Sequence, residues 1–259
     1  MRDLSKLCLA LAFSLCGCVY PADDPTGLEV SWRFFESNTA DGEDGRQMRT
    51  CAGAQVDAVE VRIEDLDDPV RRGTFPFDCE EGYQTQAEFQ TRASDVFVPL
   101  HPNDYAVDLT VRGPDLALML AEREVDVLGR GLTVELFELV PAPVDWELSL
   151  SGLDACETVS LSLSYSDPTA MLAHPPRDDD GQVLPTLYRE SLQTDRELGL
   201  FGEAAACSEE LAGTHLVPAI DRGAYRLEVT VDGRVCPIQL TLTDDTRTAI
   251  DLDNLPCDG

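Results

Sequence analysis

The sequence predicts an all-β protein, two tandem antiparallel β-sandwich domains stapled by disulfides, and three observations carry that prediction. Apolar and polar residues alternate with period two along much of the chain, the pattern a half-buried antiparallel strand requires. One strand is written twice: Asp104 to Gly113 reads DYAVDLTVRG and Ala224 to Gly233 reads AYRLEVTVDG, an ungapped match at an offset of 120 in which tyrosine, threonine, valine and glycine coincide. No long stretch shows the stripe of an amphipathic helix.

Residues 28–140 and 144–259 are read as the two sandwiches, parted at Pro141-Ala142-Pro143. Each opens on one of the two tryptophans, in Leu28-Glu29-Val30-Ser31-Trp32 and in Val144-Asp145-Trp146-Glu147-Leu148. In the first half the inward faces are Val59, Val61 and Ile63, then Tyr105, Val107, Leu109 and Val111, then Leu132, Val134 and Leu136. The second half offers Val159, Leu161, Leu163 and Tyr165, then Tyr225, Leu227, Val229 and Val231, then Ile238, Leu240 and Leu242. That makes roughly seven short strands per half. Short helical turns are expected only near 195–198 and 203–211. The stretch from Pro168 to Cys207 is longer than its first-half counterpart, and its Leu184, Leu187, Tyr188, Leu198, Leu200 and Phe201 suit either a recognition surface or a cover over an open sheet edge.

The chain begins MRDLSKLCLALAFSLCGCVYP, with Arg2 and Lys6 ahead of an apolar run from Leu7 to Leu15. That is the layout of a secretory signal, too short to span a bilayer. Leu15-Cys16-Gly17-Cys18 resembles the lipobox of bacterial lipoproteins. The resemblance implies cleavage after residue 17, lipidation of Cys18, a tether over 18–27 and a membrane partner reached through acyl chains. Val19 in place of aspartate leans toward the outer membrane under the best-known sorting rule. The motif L-x-P-x-x-Y-x-V-x-L-x-V-x-G around Tyr105 resembles Ig-like modules and the transthyretin-like or carboxypeptidase-regulatory-like sandwiches of bacterial envelope proteins, which implies a sandwich and no catalytic residues.

With Cys8 and Cys16 in the leader and Cys18 lipidated, six cysteines remain: Cys51, Cys79, Cys156, Cys207, Cys236 and Cys257. An even number in an exported chain points to disulfides, and six cysteines allow 15 pairings. The repeat narrows them. Cys51 and Cys156 each precede an alternating strand, and Cys79 and Cys207 each precede the shared tyrosine strand, so Cys51 is paired with Cys79, Cys156 with Cys207 and the remaining Cys236 with Cys257. Metal ligation is the alternative, but no CxxC or Cys/His cluster with zinc spacing occurs after the leader.

The formal charge is −30, and removing the leader leaves 17 arginines, no lysine and 48 acidic residues. Such a surface repels phosphate backbones and excludes nucleic acid as a partner. His101, His174 and His215 are the histidines, each in turn-like or strand-entry context, and no GxSxG, HExxH, P-loop or GxGxxG is present. Abundant carboxylates carry no glycosidase signal in a chain this acidic. The reading is therefore not an enzyme. Two loops suit calcium, which takes several oxygen ligands: Asp41 and Asp44 in DGEDG, and Asp178 and Asp180 in DDDG. Loops of this composition are more commonly solvated Asp/Gly turns. A lipid-anchored envelope protein with a non-catalytic binding or structural role, engaging another envelope protein, is the expected function; a calcium- or polysaccharide-binding surface module is the alternative.

Overall fold

A computed structural model describes residues 26–37, 47–85, 96–113, 116–129, 131–186, 188, 201, 204–243, 246–255 and 257. The first half contributes β1 (Gly27–Phe35), β2 (Met48–Arg49), β3 (Ala58–Asp65), β4 (Arg72–Asp78), β5 (Phe97–Pro99), β6 (Asn103–Gly113), β7 (Leu116–Val127) and β8 (Leu132–Leu139). The second contributes β9 (Val144–Ser151), β10 (Thr158–Tyr165), β11 (Ala205–Ala206), β12 (Gly213–Ile220), β13 (Gly223–Val231), β14 (Arg234–Leu242) and β15 (Arg247–Asp251). Three one-turn helices punctuate them: α1 (Cys51–Ala54), α2 (Cys79–Gly82) and α3 (Pro168–Met171).

The two halves are wired alike. In the first, β4-β3-β6-β7 form one sheet, while β1 lies between β8 on one side and β5 and β2 on the other. In the second, β11-β10-β13-β14 form one sheet and β12-β9-β15 the other. In both, the opening strand pairs in parallel with the closing one, β1 with β8 and β9 with β15. The shared register reaches single residues: Val59 lies opposite Val111 and Asp65 opposite Tyr105, as Val159 lies opposite Val231 and Tyr165 opposite Tyr225. Both repeat tyrosines donate their hydroxyl four residues upstream, Tyr105 to the His101 carbonyl and Tyr225 to the Asp221 carbonyl. This ties the strand to the turn before it, in the manner of a tyrosine corner.

Each half buries its own core. Trp32, Val61, Leu109 and Phe137 belong to one cluster, and Trp146, Leu161, Leu227 and Ile250 to the other. The alternation places β3, β6, β10 and β13 as expected, each with every second side chain buried. Strand β8 is a correction: Leu132 and Val134 are exposed, and Phe137 and Leu139 are buried instead. The parallel register aligns Trp32 with Phe137 and Phe34 with Leu139, which fixes the odd-numbered side chains of β8 inward. A shift of one residue reverses every side chain. In β14 the burial is also partial, with Leu242 buried and Ile238 and Leu240 only half-buried.

Four rim strands carry a proline, Pro76 in β4, Pro99 in β5, Pro218 in β12 and Pro237 in β14, residues that remove a ladder donor and so discourage edge-to-edge pairing. Where β4 lines β3 in the first half, the second half uses the short β11 and pieces of the long insertion. Tyr188 donates its backbone N–H to Leu163, Tyr165 donates to the Thr186 carbonyl, and Phe201 bridges to Leu161. Of the two uses the sequence leaves open for that insertion, the described part covers the edge of β10. Of the expected helical turns, 195–198 lie outside the described residues, and a 3₁₀ turn forms at Glu209–Leu211.

Candidate functional sites

Cys18, Asp41 and Asp44 lie outside the described residues. The six remaining cysteines form three bridges, Cys51–Cys79, Cys156–Cys207 and Cys236–Cys257, the same pairs that the repeat singles out. Asp178 sits in an exposed turn where its carboxylate accepts from the backbone N–H groups of Asp180 (3.0 Å) and Gln182 (2.8 Å). The neighbouring Arg177 donates to the Gly181 carbonyl across the same turn. Asp178 thus shapes the loop, an Asx-type role. Among the described residues, no group of three or more His, Cys, Asp or Glu side chains is placed to hold a metal ion. The histidines stand apart: His101 at the β5–β6 turn, His174 exposed beyond α3, and His215 on β12 with its ring against the Leu211 carbonyl at 2.9 Å.

The structure brings together a cluster that the periodicity does not foretell. It lies where the end of the first half meets the second. Arg49 of β2 is fully buried and donates through Nη2 to the Arg222 carbonyl at 2.7 Å. Its guanidinium stands 5.8 Å from the centre of the Tyr165 ring, within cation–π range. Tyr165 donates its hydroxyl to the Glu36 carboxylate. Asp221 accepts from the backbone N–H of Ser37 at 3.0 Å and from the Tyr188 hydroxyl at 2.9 Å. Tyr165, Tyr188 and Tyr225 pack ring against ring, with centroids 5.0 to 5.7 Å apart. Alongside, α1 lies on α3: Thr50 donates its N–H to the Met171 carbonyl at 3.1 Å, and a Cβ at Gly53 would collide with that same carbonyl.

Electrostatics follow from burial. Removal from water pushes the Glu36 carboxyl above its ordinary value, opposed by the Tyr165 hydrogen bond. The Tyr165 hydroxyl is driven well up for the same reason. Burial works against the Arg49 charge, yet Tyr225, Tyr165 and Asp221 around it leave the guanidinium more basic than usual. These groups meet across the junction and couple the two halves through the Arg49, Tyr165 and Asp221 contacts, while Arg49 Nε and Nη1 are buried without a hydrogen-bond partner among the described residues.

The equivalent end of the first sandwich is different. There the two sheets part into a cleft of about 290 Å³ between the β3–β4 turn and the β5–β6 turn. Its lining is mixed, with Ile63, Phe75, Pro99 and Leu100 beside Asp65, Tyr105 and His101, and Arg71 and Arg72 at the β3–β4 turn. Asp65, opposite Tyr105, is occupied: its Oδ1 accepts from the Asp67 and Asp68 N–H groups and from Asn103 Nδ2 at 2.7 Å. Burial and the nearby Asp65 charge raise the Tyr105 hydroxyl above its ordinary value.

No family model matches the chain, and no curated protein matches it in sequence. Among solved structures, it is similar to a Bacteroides thetaiotaomicron protein assigned provisionally to polysaccharide binding, at 11% identity and TM-score 0.34, covering 80% of this chain and 76% of that one. It is similar also to the fimbrial anchor protein of Porphyromonas gingivalis, at 12% identity and TM-score 0.32 over 83% of this chain and 82% of that one. The minor pilin of Streptococcus agalactiae aligns at 11% identity and TM-score 0.28 over 88% and 94%. TM-scores this low leave the role of the chain to be argued from its own residues.

Proposed function

We propose that this chain is a non-catalytic interaction or structural protein of the bacterial envelope, held to a membrane through lipid on Cys18, whose residues 28–140 and 144–259 act as two sandwich domains locked into one unit. The observation that supports the binding role is the outward face of β8. Leu132 and Val134 are 40% and 44% exposed there, and Leu128 in the preceding turn is 56% exposed. Leu128 donates its N–H to Thr133 Oγ1, so the three side chains belong to one rim. No proline guards this strand, unlike four other rim strands. A clustered apolar rim on a chain of formal charge −30 is the kind of surface that another protein covers.

The test is cross-linking in intact envelopes followed by mass spectrometry of the joined peptides. A recurrent protein partner linked near β8, lost in Val134→Glu, is the expected result. Links to lipid and to itself alone would end the reading. The anchor is tested separately: Cys18→Ala should leave an unprocessed or mislocalised precursor.

A further inference from the structure

We infer that the end of the first sandwich at which the chain enters is a membrane-contacting surface, whose apolar turns dip into the lipid interface of the anchored protein. The inference deepens the reading above and rests on its lipid at Cys18. It concerns the end of the sandwich, whereas the protein partner is assigned to the side of β8 around Val134.

Three turns meet at that end. Leu66, which opens the β3–β4 turn, donates its N–H to the Asp104 carbonyl at 3.0 Å, and Asn103 Nδ2 reaches back to Asp65, so this turn is tied to the start of β6. The β5–β6 turn is joined to the point of entry: Leu100 donates its N–H to the Thr26 carbonyl, and Pro99 lies opposite Gly27. The β7–β8 turn completes the set, because Gly27 also lies opposite Leu132, and a Cβ at Gly129 would stand 3.7 Å from Pro102. The other end of the sandwich, where β1 runs out into Glu36, is taken up by the joint.

What these turns expose is apolar. Of the nine large hydrophobic side chains exposed among the described residues, six belong to the first half, and each of the six lies in one of these turns, in β5 or in the first three residues of β8. Val70 in the β3–β4 turn is 87% exposed, with Leu66 beside it at 42%. The Phe97 ring lies over Gly27, where an added Cβ would stand 2.5 Å from it. Exposed apolar residues scattered singly need no explanation, but a set gathered at one end marks an interaction surface. Charge points the same way. The turns read LDDPVR, LHP and LGRG, in which Asp67 and Asp68 are offset by Arg71 and Arg130, a formal sum of zero on a chain of −30. Burying these turns therefore removes no net charge from water.

The tether decides what covers them. Nine residue steps separate Cys18 from Gly27, no more than about 32 Å of fully extended chain. The 11-residue β6 alone runs about 36 Å from this end toward the joint. An acyl anchor at Cys18 thus holds the entry end, and not the joint, beside the bilayer. Apolar groups held there sink about 5–10 Å, to the boundary of headgroups and acyl chains.

The experiment places a tryptophan at the surface and asks whether lipid reaches it. The protein is purified from the membranes of the cells that make it and reconstituted into phosphatidylcholine vesicles whose acyl chains carry bromine near the glycerol end. The native Trp32 and Trp146 are both fully buried in the cores, so they supply a background that bromine does not quench. Val70→Trp should lose roughly half of its added emission or more, as expected for a ring at the depth of an interfacial apolar group. Leu128→Trp should be quenched as well, and it carries the test if Val70→Trp fails to fold. Val235→Trp is the control, since Val235 is 45% exposed on the second half, and it should keep its emission. Flotation of the same vesicles reports the anchor separately. Flotation with Val70→Trp and Leu128→Trp both unquenched, or with Val235→Trp quenched equally, would overturn this inference alone. Failure of the wild type to float would overturn the anchor reading and this inference with it.

Discussion

The two halves share strand order, register and tyrosine corner, yet they treat the same end of the sandwich in opposite ways. In the second half, Tyr165, Tyr188 and Tyr225 and the inserted Glu36 and Arg49 close it. In the first, Asp65 is turned to capping its own loop, and the mouth stays open. A repeated scaffold therefore fixes where an end is, and a few side chains on that end decide whether it is filled or left open. The filled mouth is also what makes two cores into one body, because two charged groups of the first half, Glu36 and Arg49, are buried in it, Arg49 completely.

Breaking the joint should give the largest effect. Arg49→Ala removes a buried guanidinium that couples electrostatically to Glu36 and Asp221, and removing one member of a buried charge network costs about 3–5 kcal/mol. Urea unfolding followed by tryptophan fluorescence should show a lowered midpoint and a split transition, one step for each core. Arg49→Met keeps the apolar stem against Tyr165 and should recover part of the loss. A single unshifted transition in Arg49→Ala would mean the halves are not coupled through this residue. Arg72→Gln at the open mouth is the matched control and should stay within about 0.5 kcal/mol of the wild type.

Gly53→Ala tests the second strut of the joint without touching charge. The added methyl meets the Met171 backbone carbonyl rather than a flexible side chain, so α1 and α3 must move apart, at about 1–3 kcal/mol. Smaller again is the pair Tyr105→Phe and Tyr225→Phe. Each deletes one hydrogen bond worth about 1 kcal/mol. Tyr225 is fully buried inside the joint, while Tyr105 opens on the cleft, so the Tyr225 change should cost more in the same urea series. Equal losses would say that the corner matters and its surroundings do not.

Much of this architecture was legible in the residues. Period-two alternation marks the inner faces of β3, β6, β10 and β13, and the 120-residue offset with matching cysteine positions yields three disulfide pairs. β8 was misread because Leu132, Val134 and Leu136 alternate convincingly, and only the parallel pairing with β1 shows that Phe137 and Leu139 face the core. Alternation gives a period but not its phase. The joint was illegible for a related reason: Glu36, Arg49 and Asp221 are ordinary surface types whose burial depends on the second half arriving beside the first, and local sequence does not encode that meeting. The open cleft was illegible too, because it depends on Asp65 standing in the first half where Tyr165 stands in the second.

The smallest expected effect separates joint from surface by pH. Burial raises the folded Glu36 carboxyl above its ordinary 4.5, so the folded state keeps a proton that the unfolded chain has released. The Glu36 contribution to stability is then full below about pH 4.5 and falls as pH rises through the folded value. Asp232 behaves oppositely. Fully exposed, its carboxylate accepts backbone N–H groups of Thr158 and Glu157, which hold it below its ordinary 3.8, so its contribution is present above that value and is lost as pH drops. Glu36→Gln retains an acceptor for the Tyr165 hydroxyl and should flatten the decline between pH 4.5 and neutrality without lowering stability at pH 7. Asp232→Asn should leave that range unchanged and alter only the acid limb. Urea midpoints measured across pH for both variants check this. An unchanged slope above pH 4.5 in Glu36→Gln would show that water reaches Glu36, and with it that the second mouth is less tightly filled than the packing of its three tyrosines implies.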